Sequence, residues 1–451
     1  MDEHQRTPPL QWSGVSRLPG LEGRIPDRAR RAIVLTTLGS LGDLYPVLSI
    51  ARALTDRGIE VRLALSPEDC DMARRWGLLA TPIGPSQAEI CDRLGLTRDE
   101  IAAAVLRDPT PLLRNVAIPM LPELVPEMEE VCRGTACVAA TSFALFAPLA
   151  AERLGLPFVP LVLQPMLMFS PLDPPRGRGV GLSVPQPRTG AARLWNRGVM
   201  GAARGILRLA HKRPLSRVRA GLDLLPQPGT PLLDHGARVP LRLGLWSPRF
   251  APLPADRRDE WRAVGFPPAP EGELTPEAQS WLDAGPPPLI ITLGSIAQSL
   301  GGSEFWPEAV KLARALGVRA VLLHGKAEVP SGPDILALPY AAHAPLFPQA
   351  AAILHHGGIG TSAEALRAAR PQMVVPVGGD QPDNAARLER LGVAVTLPVR
   401  RFAADRAIAP LRALLDRFDY AAAGELGRAI AEEDGARQAA FLLANVVDGV
   451  R

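Results

Sequence analysis

Short apolar runs, each closed by a glycine or polar turn and followed by helical periodicity, recur along the chain from residue 32 onward. Residues 32–38 form the first run, rich in β-branched side chains, and it ends in Gly39-Ser40-Leu41-Gly42-Asp43. A helix is predicted to start near Pro46, because Val47, Ile50, Ala51 and Leu54 fall at i, i+3, i+4 and i+7 and form one buried stripe. Gly58 stops it, and residues 61–65 read as the second strand. Such a βαβ start implies a parallel sheet, which binds ligands beyond the C-terminal ends of its strands. Asp43 therefore stands where a reacting group would stand.

The alternation continues with predicted strands at 78–83, 137–141, 158–163 and 241–246. After 158–163, a loop rich in Pro, Gly and Arg runs to about residue 190. Loops that long at strand ends are either functional or disordered. Its Met166, Met168 and Phe169 either line an adaptable pocket for a lipophilic ligand or merely pack the domain. Residues 252–288, rich in Pro, Asp and Glu, read as a connector carrying a helix near 275–282. A second strand–helix series follows, with strands at 289–293, 320–323, 335–338, 350–354 and 373–377 and a helix at 304–316. The expected fold class is α/β, with two Rossmann-like, doubly wound domains facing a central cleft. The boundaries expected are a tail at 1–30, a first domain at 31–255, a linker at 256–285 and a second domain at 286–430. A terminal helix at 431–451 is expected to pack back on the first domain.

Length and composition agree with this division, since 451 residues exceed one average core and favour two domains. Hydrophobic residues make up 47% and charged residues 21%, as in ordinary globular chains. A net charge of +4 over this length is too weak to argue for nucleic acid as a partner. Four cysteines lack zinc-like spacing and read as reduced thiols of a cytoplasmic protein. Neither a signal peptide nor an apolar run of about 18 residues is visible, so a spanning helix is not expected. The basic stretch 204–219, with Ile206, Leu207, Leu209 and Leu215 interspersed, has the composition either of a solvated helix face or of a surface lying on the inner face of an anionic membrane. Oligomeric state is not legible.

The densest chemistry lies at His355-His356-Gly357-Gly358-Ile359-Gly360-Thr361-Ser362-Ala363-Glu364, between the 350–354 strand and a helical pattern at 363–370. Glycines there let backbone N–H groups approach a phosphate, and the helix N-terminus adds partial positive charge. Ser295 closes the strand at 289–293, and the 373–377 strand ends in Gly378-Gly379-Asp380-Gln381. Asp380 and Gln381 form a carboxylate–amide pair suited to sugar hydroxyls, and Glu364, one turn into the helix, is placed for a ribose. Together these residues describe half of a nucleotide diphosphate-sugar site, with Asp43 as the general base supplied by the other domain. Asp43 could instead simply cap its helix, and His355 could be a satisfied strand-end residue.

The set His355-His356-Gly-Gly-Ile-Gly-Thr361, Glu364, Pro371, Pro376, Asp380-Gln381 and Asn384-Ala385 resembles the donor signature of family 1 glycosyltransferases of GT-B fold. Their bacterial branch, acting on macrolides, glycopeptides, sterols and rhamnolipids, is the nearest match. Thr37 to Asp43, with Pro46, is similar to that branch's N-terminal loop, whose aspartate is the usual base. The resemblance implies that His356 meets the diphosphate with Ser295, Gly358, Gly360 and Thr361. It further implies that Glu364 binds the ribose, with Tyr340 and His343 at the base, and that Asp380 and Gln381 hold the sugar. Inversion without a metal or other cofactor is implied too, with a UDP- or dTDP-sugar as co-substrate and a small lipophilic hydroxyl acceptor. Ile359, Arg370 and Tyr340-Ala-Ala-His343 depart from the plant-type pattern and leave the base and sugar open. A sugar-nucleotide epimerase of the same fold and a non-catalytic sugar-nucleotide-binding helper are the competing readings. A dehydrogenase is disfavoured, because no G-x-G-x-x-G follows the first strand.

Overall fold

Apolar runs without polar alternation suit strands covered on both faces, and the chain uses them in that way. The computed structural model describes residues 32–449 except 178–179, 228, 231, 270–271, 295–300 and 303. Its first sheet contains β1 (Ala32–Thr36), β2 (Val61–Leu65), β3 (Ala80–Pro82), β4 (Thr135–Thr141), β5 (Phe158–Val162), β6 (Arg242–Gly244) and β7 (Trp261–Ala263). They lie parallel in the order β3-β2-β1-β4-β5-β6-β7. The second sheet holds β8 (Leu289–Thr292), β9 (Ala320–Leu323), β10 (Ile335–Leu338), β11 (Ala352–His355), β12 (Gln372–Val374) and β13 (Ala394–Thr396). It is also parallel, in the order β10-β9-β8-β11-β12-β13. In each sheet the order reverses beside the founding strand, which creates a crevice at the strand ends. The turn after β1 carries Asp43, and the turn after β11 carries His356, so both predicted half-sites sit at a switch point.

Two features differ from the sequence expectation. Trp261–Ala263 joins the first sheet beside β6, so the segment 256–285 is not simply a linker. A three-residue strand between prolines has too few positions to show a period, which is why the pattern concealed it. The first helix begins at Leu41, not near Pro46, and runs to Asp56 with Pro46 inside it. Ser40 sets that start through a capping box with Asp43.

Contacts between the halves are specific. The final helix, Gly435–Asp448, packs along the Leu41–Asp56 helix. Ser49 Oγ donates to Pro268 O at 3.1 Å, and Ser247 Oγ donates to Glu433 Oε1 at 2.8 Å. The long loop after β5 is anchored rather than loose. Its Asp173 accepts from Arg387 Nη1 at 2.8 Å, and the Arg176 N–H donates to Asp383 Oδ1 at 2.9 Å. Arg387 is fully buried and also donates to Asp383 Oδ2 at 2.7 Å. A buried cation with two carboxylate partners thus ties a first-domain loop to the Gln381–Arg390 helix of the second.

Candidate active site

The β11 turn is shaped by one histidine and opened by the other. His355 is fully buried; its Nε2 faces Gln372 Oε1 at 3.0 Å, and its Nδ1 accepts from the Gly357 N–H at 3.2 Å. Both ring nitrogens are therefore used in holding the turn, and His355 is structural. His356, the next residue, has a buried Nδ1 without a partner among the described residues. Its ring lies between two glycines: a Cβ at Gly294 would sit 2.6 Å from its Cε1, and one at Gly358 would sit 2.4 Å from its Nε2. Gly294 also has φ +78°, which a side chain would strain. Burial, with His355 and His343 as lesser causes, holds the His356 pKa at about 3. The ring is therefore neutral at pH 7 and offers one N–H and one lone pair.

Beyond His356 the helix Ile359–Arg367 begins with Gly358 as its N-cap and no side chain bonded to its first turn. The N–H groups of Ile359, Gly360 and Thr361 lie in that first turn, where an α-helix has no carbonyl partner for them. An anion is the natural complement. Gly360 is exposed there and Thr361 is buried. Glu364 is buried one turn on and paired with Arg367, whose Nη2 donates to Phe266 O at 2.8 Å. Ser295 lies outside the described residues.

The following turn is pinned from within. Gln381 is buried, and its Oε1 accepts from the Val377 N–H at 2.8 Å and the Gly378 N–H at 3.3 Å, which leaves the amide NH2 for a ligand. Asn384, part of the donor signature but given no role by it, donates to Gly357 O at 2.9 Å and Asp380 Oδ2 at 2.7 Å. One amide thus fixes the turn after β11 and the Asp380 carboxylate together. Its place one turn after Asp380 was the available signal. Burial pushes the Asp380 pKa up to about 6 against the Asn384 hydrogen bond, with Asp43 adding a further push. Carboxylates from the two domains therefore feel each other across the cleft.

Asp43 is partly buried, and its Oδ2 accepts from the Ser40 N–H at 2.8 Å and Ser40 Oγ at 3.0 Å. Burial raises its pKa, more than the two Ser40 hydrogen bonds lower it. A Cβ at Gly39 would fall 2.4 Å from Asp43 Oδ2, so that glycine makes the packing possible. Asp43 does cap its helix, and its Oδ1 remains for a ligand. Tyr340 is 65% exposed at the cleft mouth, where its hydroxyl faces that of Tyr45, a residue absent from the sequence prediction. Tyr45 in turn stacks on Trp76, with centroids 6.1 Å apart. His343 lies deeper, stacked on Phe347 with centroids 4.4 Å apart.

A cavity of about 290 Å3 opens beside β4, β5, β6 and β7. Met168 and Phe169 line it; Met166 does not, and instead lies toward Gly177. The residues of the Pro165–Met168 turn point in different directions, so an unbroken apolar set in sequence is divided between cavity and loop. Thr141 lines the end of the cavity nearest the β1 turn, and its Oγ1 is 2.7 Å from Thr37 Oγ1.

Comparisons with known proteins agree on one family. Residues 322–438 match the model of the erythromycin biosynthesis protein CIII-like C-terminal domain. The vancomycin aglycone glucosyltransferase of Amycolatopsis orientalis is 28% identical over 424 residues, covering 92% of this chain and 97% of its own length. The O-mycaminosyltylonolide 6-deoxyallosyltransferase of Streptomyces fradiae is 30% identical over 434 residues, covering 91% and 96% respectively. Among solved structures, the glycotransferase of kitacinnamycin superposes with a TM-score of 0.68 at 20% identity, over 93% of this chain and 100% of that one, and shows the shared fold.

Proposed function

Because the chain belongs to the family 1 glycosyltransferases of GT-B fold, in the bacterial macrolide and glycopeptide branch, we propose that it moves a hexose or deoxyhexose from a UDP- or dTDP-sugar to a hydroxyl of a small lipophilic acceptor, with inversion and without a metal. One observation carries this reading. The N-terminus of the Ile359–Arg367 helix, with no side-chain cap among the described residues, lies beside a buried His356 Nδ1 that has no partner among them.

The diphosphate would lie on the Ile359, Gly360 and Thr361 N–H groups, with His356 donating one further hydrogen bond. Negative charge grows on the leaving diphosphate as the glycosidic C–O bond breaks, and fixed dipoles stabilise it without reorganising. Asp43 Oδ1 would accept the proton of the acceptor hydroxyl as its oxygen attacks the anomeric carbon from the opposite face. Ser40 holds the other oxygen and so orients the base. Burial keeps Asp43 a stronger base than an exposed aspartate, which suits late proton transfer. Asp380 and the Gln381 amide would bind sugar hydroxyls, and a hydroxyl between Asp43 and Asp380 would relieve their repulsion. Glu364, oriented by Arg367, would take the ribose, with Tyr340 and His343 near the base.

Relatives named for glucosyl and deoxyallosyl transfer to natural products support hexose-like donors and lipophilic acceptors. The test is a matrix of UDP- and dTDP-sugars against lipophilic alcohols, read by mass spectrometry for the glycoside and by NMR for its anomeric configuration. A β-linked product from an α-linked donor is expected, in buffer containing a chelator. Donor turnover without acceptor would favour the epimerase reading instead.

A peripheral membrane contact belongs to the same proposal. The helix Gly190–Gly221 contains no Asp or Glu and exposes Leu194, Trp195, Ile206 and Leu209 among its arginines. Apolar anchors with basic neighbours suit an anionic lipid surface. No helix among the described residues is long and apolar enough to cross a membrane. Sedimentation with phosphatidylglycerol vesicles but not phosphatidylcholine vesicles is expected.

A further inference from the structure

The cavity beside β4 to β7 is not a plain apolar pocket. Leu167, Met168, Phe169 and Trp261 supply apolar wall, but Arg204, Arg242 and Arg257 line it too. Two of these are already occupied. Arg204 is paired with Asp234, whose Oδ2 also accepts from the Thr230 N–H at 2.9 Å. Arg257 donates to Met168 O at 2.7 Å and Phe169 O at 2.9 Å, and so fixes the left-handed turn at Phe169.

Arg242 is different. It lines the cavity, yet among the described residues its guanidinium has no partner within hydrogen-bond distance. Its nearest acid, Glu260, is largely exposed and stands 3.9 Å away, beyond hydrogen-bond distance. The Trp261 ring lies 6.0 Å from its Cζ. Beside it, the buried His235 Nδ1 and the buried Arg204 Nε have no partner among the described residues. Burial disfavours the Arg242 charge more than the neighbouring carboxylates Glu260 and Asp234 restore it. A partly buried cation whose one carboxylate neighbour is loose and exposed, with two orphaned nitrogens nearby, has donors left for a ligand.

The β4 side supplies the second half of the argument. Thr141, at the C-terminal end of β4, lines the cavity and touches Thr37, six residues before Asp43. Thr141 on β4 and Arg242 on β6 flank β5 at nearly the same level, about 10 Å apart at the usual strand spacing. We propose that the cavity selects an elongated acceptor with a carboxylate at one end, held by the Arg242 fork and the His235 Nδ1, and the hydroxyl to be glycosylated at the other, delivered toward Asp43. One guanidinium beside a neutral His235 balances the single charge of a carboxylate and would leave a doubly charged phosphate half neutralised. This inference rests on taking the cavity as the acceptor site.

The experiment uses the full chain with three probes, ω-hydroxydecanoate, its methyl ester and decanol. Binding is read by calorimetry and glycoside formation by mass spectrometry. The free acid is expected to bind at least about tenfold more tightly than the ester, as for a charge-assisted pair. Arg242→Gln should bring the acid down to the level of the ester, and Arg242→Lys should keep part of the preference. Equal binding of acid and ester, no binding of the acid, or a preference that survives Arg242→Gln would overturn the proposal. Leu232→Trp, which fills the cavity from its rim, separates the two readings, with thermal unfolding as the check that it folds. If transfer persists in Leu232→Trp, the cavity is not the acceptor site, and both readings fall. If transfer is lost there while acid and ester behave alike, only the carboxylate preference falls.

Discussion

The turn after β1 and the turn after β11 share one plan, in which a buried strand passes through glycine into a helix at a switch point of its sheet. They differ in what meets the first helical N–H groups. In the first domain Ser40 accepts from the Gly42 N–H while Asp43 accepts from Ser40, so the helix closes its own end and presents a carboxylate. In the second domain the cap is Gly358, which has no side chain to offer, and the first turn stays open beside a neutral histidine. A self-capped, anionic turn repels phosphate and suits a base; an uncapped turn suits an anion. Under the proposed function the same backbone device would serve opposite halves of one reaction, the cap deciding which.

Four substitutions separate those roles. Asp43→Asn should lower kcat by roughly 10²–10⁴-fold while calorimetry shows UDP or dTDP binding unchanged. The base must be ionised, and burial raises its pKa, so activity should fall with decreasing pH at values above the ordinary carboxylate range near ~4. His356→Ala should cost about 10²-fold in donor affinity or rate, as expected for one donor to a developing oxyanion. Gly294→Ala should act through that ring, by collision and by strain at φ +78°, and weaken donor binding about tenfold with a lowered Tm. Ser40→Ala should cost ~1 kcal/mol of stability through the lost cap. It should also move the acid limb of the rate profile upward, since it removes the Ser40 Oγ hydrogen bond, one of the two that lower the Asp43 pKa. An unmoved limb would separate Asp43 from that profile.

The smallest effect concerns Asp380 without ligand. Its folded pKa of about 6 lies above the unfolded value near 3.8, so the folded state binds the proton more tightly. That stabilisation is complete below the unfolded pKa and is lost as pH rises through 6. Asp380→Asn, which can still accept from Asn384, should therefore raise Tm at pH 7 and leave it nearly unchanged at pH below about 4.

Much of this comparison was readable in the chain. Buried parallel strands leave apolar runs, and a phosphate turn is contiguous, so the doubly wound halves and the His355–Glu364 stretch appear in order. The capping box was visible as Ser40 and Asp43 three residues apart, but Pro46 drew the predicted start too far along. β7 and the division of Met166 from Met168 were not legible, because three residues carry no usable period and a short turn scatters its side chains.

What the sequence determined alone was local: which strands form, which turns hold glycine, and which residues could meet a diphosphate. Tertiary structure decided which of them work together. Asn384 joins two turns, Tyr45 meets Tyr340, Arg387 clasps Asp173, and Arg242 lines a cavity with only a loose, exposed Glu260 beside it. Each depends on two elements being brought together by packing, and neither periodicity nor spacing encodes the distance between them.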